Sequence, residues 1–263
     1  MITIYDQNVW NYSPASYRNT LIRSLISEFD ADICAFQECG PETNRSARLA
    51  LPALMEDEYL EVCPEYANVN FTPVFYKKDK FLLLDSGYFL YDGLNDSDSK
   101  SVTWAVFEEK NSSDKFAVIS THFWWMFTSE KDNEQRLRNV DQLYEISNYI
   151  IKKHNVPVII GGDFNNGKNS MQGEEPYKYM LEKGFCDIRL SAKETTDEYT
   201  HHEYPILNGD SIYEKGSLPE KNLDYIFTYG NYPLKAKKFD IITTQNALDS
   251  SDHCPLIGIF DFN

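Results

Sequence analysis

Asp163 and Asn165 stand where an apolar run stops. The run from Val156 to Ile160 contains Pro157 near its start and is broken by Gly161 and Gly162. Its branched residues suit a strand buried on both faces. A carboxylate and an amide at the point where the backbone leaves a rigid sheet can face a ligand. As ordinary turn formers they can also simply close the strand. The pattern recurs along the chain. Asn8 follows the alternation begun at Ile2, and Glu38 ends Asp32 to Gln37. His122 ends Ala117 to Thr121, Asp224 heads Tyr225-Ile226-Phe227, and Ser251-Asp252-His253 precedes Pro255-Leu256-Ile257. If these strands lie side by side, carboxylates, amides and histidines converge at one edge.

Such an inventory suits one kind of chemistry. Hard oxygen ligands without thiolates select Mg²⁺ or Mn²⁺ over zinc. A metal held by carboxylates polarises a phosphoryl oxygen and neutralises charge that develops there. Histidine beside a carboxylate forms an oriented acid–base or charge-stabilising pair. The chain has no G-x-S-x-G elbow and no glycine-rich phosphate loop, so direct attack of water on phosphorus is the expected reaction.

The elements that must position these groups alternate irregularly. A strand from Ile2 is followed by Ser13-Pro14, read as a helix cap, and by a helix whose apolar face is Tyr17, Leu21, Ile22, Leu25, Ile26 and Phe29. Asp32 to Glu38 predicts a second buried strand, and Pro41 to Glu56 a helix. Short strands are expected at Thr72–Tyr76, Phe81–Leu84, Val102–Glu108 and Phe116–Thr121. Then come a helix over Asn133–Lys153, the Val156 strand, a helix near Tyr177–Lys183, and strands at Asp224–Thr228 and Leu256–Asp261. There are more strands than a simple doubly wound sheet needs. Two packed sheets with helices outside fit best.

Length and composition (263 residues, 42% hydrophobic, no linker-like tract) predict a single domain over residues 1–263 with a sizeable core. No run approaches the ~18 apolar residues of a membrane span, and no charged-then-apolar leader opens the chain. The five cysteines lack metal-type spacing and read as reduced thiols of a cytoplasmic protein. The chain is expected to be a monomer. Acids outnumber bases 41 to 25, for a net charge of −16. Long duplex nucleic acid is therefore an unfavoured partner, since phosphate neutralisation supplies most of that affinity.

Tyr5-Asp6-Gln7-Asn8, Phe36-Gln37-Glu38, Ser120-Thr121-His122, Gly162-Asp163-Phe164-Asn165, Leu223 to Phe227 and Ser251-Asp252-His253 resemble, in order, the motifs of the endonuclease/exonuclease/phosphatase (DNase I-like) superfamily. Pro73 to Phe81, Ser86 to Phe89, Thr103-Trp104-Ala105 and Thr200-His201-His202 resemble a bacterial branch of metal-dependent hydrolases. The resemblance implies a four-layer α/β/β/α sandwich with the site at one edge. It implies Glu38 as principal metal ligand, assisted by Asn8 and Asp252. Asp163 would hold or deprotonate the attacking water, with Asn165 orienting the water or the phosphate. Asp224 would orient His253, which would contact the phosphate or help activate the water, and His122 would bind or protonate a phosphate oxygen. Three segments depart from the pattern: Asp6-Gln7 before Asn8, Asn222 where a basic residue is usual, and His201 within Thr200 to Tyr204. All three point to altered substrate contacts.

Trp124 and Trp125, in the aromatic stretch after His122, could form a wall that stacks part of a substrate. Arg136 could reach a phosphate and His202 could line the cleft opposite. The expected function is a Mg²⁺- or Mn²⁺-dependent phosphoesterase acting on a small or single-ended phosphorylated substrate. A nuclease for nucleic-acid ends or single strands is one alternative. A non-catalytic binding module on the same scaffold is another.

Overall fold

A computed structural model describes residues 1–10, 15–40, 55–167, 170–202, 221–230 and 234–262. The elements are β1 (Ile2–Asn8), α1 (Ala15–Glu28), β2 (Ile33–Gln37), β3 (Tyr59–Glu61), a 3-10 turn (Pro64–Tyr66), β4 (Val74–Lys77), β5 (Phe81–Leu90), β6 (Ser101–Glu109) and β7 (Lys115–His122). There follow α2 (Glu130–His154), β8 (Val158–Asp163), α3 (Glu175–Glu182), β9 (Cys186–Asp187), α4 (Ile188–Ser191), β10 (Glu194–Thr195), β11 (Asp224–Tyr229), β12 (Leu234–Ile241), α5 (Gln245–Ser250) and β13 (Leu256–Phe262). The expected Ser13-Pro14 cap, and all but the end of the expected Pro41–Glu56 helix, lie outside the described residues.

Two mixed sheets result. One runs β10-β12-β13-β1-β2-β4-β3 and the other β5-β6-β7-β8-β11-β9. Side-chain alternation explains why both faces of each are covered. In β8, Ile159 enters the core between the sheets, while Val158 and Ile160 enter a second core under α2 and α3. In β1, Ile2 and Ile4 face the other sheet, whereas Tyr5 meets Ile22, Leu25 and Ile26 of α1 and Ala247 of α5. Three apolar cores therefore separate four layers, and the α/β/β/α sandwich expected from the motifs is observed.

Some elements differ from expectation for identifiable reasons. Helix α2 starts earlier than Asn133, because Ser129 and Asp132 form a capping box. Tyr17 is half exposed, so the buried face of α1 is Ile22, Leu25 and Ile26. Strand β12 carries Lys235, Lys237 and Lys238 and has a register shift between Ala236 and Lys238. Its charge masks the alternation by which strands are recognised. All five cysteines are free, and no helix among the described residues is long and apolar enough to cross a membrane.

At one end of the sandwich the interlayer becomes polar. Gln37 donates from Nε2 to Asp6 Oδ1 (2.9 Å) and to Ser120 Oγ (3.2 Å), and Ser120 donates to the Phe36 carbonyl (2.8 Å). Gly161 lets the sheets approach here, since a Cβ on it would lie 2.5 Å from Asp6 Oδ1. Gly161→Ala should therefore cost about 1–3 kcal/mol by overpacking and lower the calorimetric Tm by several degrees. An unchanged Tm would show that the sheets can separate locally at no cost.

Candidate active site

The strand ends are brought together by register. His122 and Asp163 are cross-strand partners in parallel β7 and β8, and Asp163 pairs with Asp224 in antiparallel β11. In the other sheet Asn8 pairs with Gln37, and Glu38 follows in the left-handed conformation (φ 56°). Asn165 also takes a positive φ (49°), which amides tolerate better than most residues. Its backbone N–H donates to Asp163 Oδ1 at 2.9 Å.

Asp163 is the hub. Its Oδ2 accepts from Asn8 Nδ2 (2.9 Å) and lies 3.4 Å from His122 Nε2 and 3.9 Å from His253 Nε2. Asn8 Nδ2 also reaches Glu38 Oε1 (3.2 Å). Asn165 Nδ2 donates to His122 Nε2 (3.0 Å) and to the Phe123 carbonyl (3.1 Å). His253 Nδ1 contacts both oxygens of Asp224 at 3.0 and 2.9 Å, leaving Nε2 facing Asp163. Asp224, Asp163 and both histidines are buried; Glu38, with its side chain 23% exposed, stands at the mouth.

Burial and like charge set the protonation states. Asp163 is pushed up to about 7, by burial first and then by the charge of Asp224. Burial also lifts Asp252 to about 7, with His253 pulling it down and Glu38 pushing it up. For His253 burial alone would favour loss of the proton. The surrounding Asp224, Asp252 and Asp163 outweigh it and raise its pKa well above that of ordinary imidazole. His122 moves well below that value, through burial and then the charges of Lys100 and His253, and is neutral.

The donor set fits a hard divalent cation. Glu38, His122 and Asp163 have ligand atoms within 4.8 Å of one another, as do His201, Asp252 and His253. Burial and neighbouring carboxylates hold Asp163 and Asp252 protonated to near neutral pH, and a bound cation would offset both effects. No cysteine belongs to either group.

The remaining expected residues divide. Asn8 sits in the cluster but turns its nitrogen toward Glu38 and Asp163, while its oxygen accepts from the Trp10 N–H (3.0 Å). Through its nitrogen the amide links the two carboxylates. Arg136 does not face the cluster. Its buried guanidinium donates to the carbonyls of Met126, Trp124 (3.4 Å) and Gln172 (3.3 Å), fastening the aromatic loop. Trp124 is buried and bonded to Asp132 (2.8 Å), whereas Trp125 is 41% exposed with its indole N–H on Asp96 (2.9 Å). His202 is fully buried, and its backbone N–H holds the Asp252 carbonyl (2.9 Å).

Two of the three departures from the family pattern have local explanations. Gln7 accepts from Tyr5 Oη (2.6 Å) and donates to Ser250 Oγ (2.9 Å) and the His253 carbonyl (3.2 Å), so it ties β1 to the His253 loop. His201 lies edge-on to His253 at 4.6 Å, and burial pushes its pKa down to about 2. Lys100 was not evident from its surroundings in sequence. It is buried, 3.2 and 3.4 Å from Nε2 and Nδ1 of His122, with Asp96 at 3.8 Å. A lone basic residue before an alternating strand carries no signal until β6 is paired with β7.

Two buried sheets thus meet at a polar edge of carboxylates, amides and histidines. The profile of the endonuclease/exonuclease/phosphatase family matches residues 7–253, so the chain belongs to that family, whose members are phosphoesterase hydrolases. No curated protein matches it in sequence. Among solved structures it is similar to a mannosyl-6-phosphatase from Bacteroides thetaiotaomicron (TM-score 0.75, 20% identity, 100% of each chain covered). It is also similar to the human Nocturnin catalytic domain with bound sulfate (0.72, 18% identity, 100% of this chain and 94% of that one). A third is TDP2 from D. rerio complexed with single-strand DNA product (0.72, 17% identity, 99% and 98%). At these identities the likeness is one of fold.

The shifted groups make stability depend on pH in a definite direction. In the unfolded chain Asp163 and Asp252 titrate near 4, but in the fold near 7. The folded form thus binds more protons in that window and loses stability as pH rises through it. His253, raised from about 6.5, extends the loss above neutrality. His122 and His201, both lowered, act in the opposite sense only below about pH 6.5. Metal-free protein should show a calorimetric Tm that falls from pH 6.5 to 9, and Asp163→Asn should flatten that slope. A Tm that rises over this range would contradict the assignment.

Proposed function

We propose that the chain is a divalent-metal-dependent phosphoesterase that hydrolyses a phosphate mono- or diester by in-line attack of water. The observation that carries this reading is Asp163, a buried carboxylate at the junction of the two sheets that accepts from Asn8 and lies within reach of His122 and His253. A base poised near the working pH is the efficient choice for taking a proton from water. Asn165 holds the neutral His122 and is placed to orient the water or a phosphate oxygen. His253, kept protonated by Asp224, supplies positive charge to the phosphoryl oxygens, and Lys100 supplies more beside His122. Mg²⁺ or Mn²⁺, held by Glu38 and Asp252, would polarise the phosphoryl oxygen and neutralise its charge.

The net charge of −16 favours a small or single-ended substrate over long duplexes. Structural relatives include a mannosyl-6-phosphatase and a protein complexed with single-strand DNA product, and the acidic balance favours a substrate of the first kind. Activity should appear with Mg²⁺ or Mn²⁺ and vanish with chelator in a panel of phosphomonoesters, diesters and oligonucleotides. Asp163→Asn should reduce kcat by at least about a hundredfold, the scale of a lost general base. Lys100→Met should raise KM more than it lowers kcat. Plasmid cleavage far faster than hydrolysis of small esters would overturn the substrate class, and full activity of Asp163→Asn would overturn the role of that residue.

A further inference from the structure

The end of the sandwich that carries His122 has a second opening. Strand β5 pairs antiparallel with β6, and β6 with β7, so residues 91–100, between β5 and β6, lie at the end where β7 finishes. Strand β4 runs antiparallel to β2, which puts the segment before Val74 at the end where β2 delivers Glu38. Between these two segments, one from each sheet, lies a cavity of about 660 Å³. Tyr66, Phe71, Tyr88 and Phe89 form its aromatic walls, with Asn68 and Asp98 among its polar groups.

Along the chain, the walls of this cavity are neighbours of residues at the catalytic edge. On one side the Phe71 carbonyl accepts from the Cys39 N–H (3.1 Å), and its ring packs on Gly40, where a Cβ would come within 2.0 Å. That wall therefore follows directly on Glu38. On the other side Asp98 is two residues from Lys100, whose ammonium lies beside His122. Asp96 ties this loop to the indole of Trp125 (2.9 Å). The base of the cavity is fixed: Asn70 donates to Thr103 (2.9 Å), and Tyr88 Oη donates to the Val69 carbonyl (3.1 Å). Tyr66 and Phe89 nevertheless remain 40% and 36% exposed, and exposed aromatic surface beside a site is characteristic of ligand contact.

The lining selects the ligand. Among the described residues none of those lining the cavity is basic, and Asp98 repels a second phosphate. Carboxylate and amide oxygens accept hydroxyl hydrogens, while aromatic faces cover the apolar side of a ring. Tyr66 and Tyr88 pack against each other at 5.0 Å with a 31° tilt, which leaves no parallel slot between them for a flat base. We propose that the cavity takes the polyhydroxylated ring of a sugar phosphate whose phosphate sits at the Lys100–His122 edge. This rests on the phosphoesterase reading above and narrows it to a substrate class.

The test uses the full chain with Tyr66→Ala and Asp98→Asn. Both side chains are at the surface of the cavity, and asparagine tolerates the left-handed backbone of residue 98 (φ 58°). With Mg²⁺ present, kcat/KM is measured for a hexose 6-phosphate, for methyl phosphate and for adenosine 5′-monophosphate. Each variant should lower the hexose-to-methyl ratio about tenfold, the scale of one lost polar contact. Saturation-transfer NMR with a methyl pyranoside and with adenosine reads the cavity without catalysis. Pyranoside contacts that both variants abolish support the proposal, even if wild-type protein hydrolyses none of the esters and the phosphoesterase reading fails. Absence of pyranoside contact, ratios unmoved by both substitutions, or loss of adenosine contacts alone would overturn it.

Discussion

The hydrogen bond from Asn8 to Asp163 joins the two sheets at the end where their shared core turns polar. Asn8 ends β1 in one sheet and Asp163 ends β8 in the other. A carboxylate buried there would be costly without partners. The surrounding layer supplies them through Asn8, the Asn165 backbone and the imidazoles of His122 and His253. Beneath it, Gln37 bonds Asp6 and Ser120 across the same gap. Gly161 permits this closeness, since a side chain there would meet Asp6. The apolar strands carry the polar cluster, and the cluster fixes how the strands end.

Electrostatics at this edge run against the protein as a whole. The chain carries a net charge of −16, yet the centre gathers a protonated His253, Lys100 beside His122, and carboxylates whose pKa values are raised by burial and by neighbouring carboxylates. Acidic and imidazole groups that could hold a cation thus stand beside positive charge in this centre. Its acidic surroundings discourage a long polyanion. Asp224 shows the economy of the arrangement: one carboxylate orients His253 and also raises the proton affinity of both His253 and Asp163.

Much of this was legible in the sequence. Strands buried on both faces, such as Val158 to Ile160, announce themselves by continuous branched residues, and the polar residues that stop them are visible at once. The layered fold follows from many short strands and a few amphipathic helices. Other features were hidden because their meaning depends on a neighbour. Strand β12 is a lysine-rich run whose strand character comes from pairing with β13. Arg136 has the chemistry of a phosphate ligand, but its position under the aromatic loop turns it toward backbone carbonyls. Gln7, an odd residue in its motif, proved to be a tie between β1 and the loop of His253.

The sequence by itself determined the family, the layers and the inventory of reactive groups at Asn8, Glu38, His122, Asp163, Asn165, Asp224, Asp252 and His253, because residue type and strand periodicity are local properties. Only the tertiary structure decided which atoms face one another. It turned the Asn8 nitrogen toward the carboxylates, brought Lys100 to His122 across paired strands, removed Arg136 and Trp124 from the cleft, and opened an aromatic cavity between segments of different sheets. Those outcomes depend on register and burial, which arise when strands distant in sequence pack together.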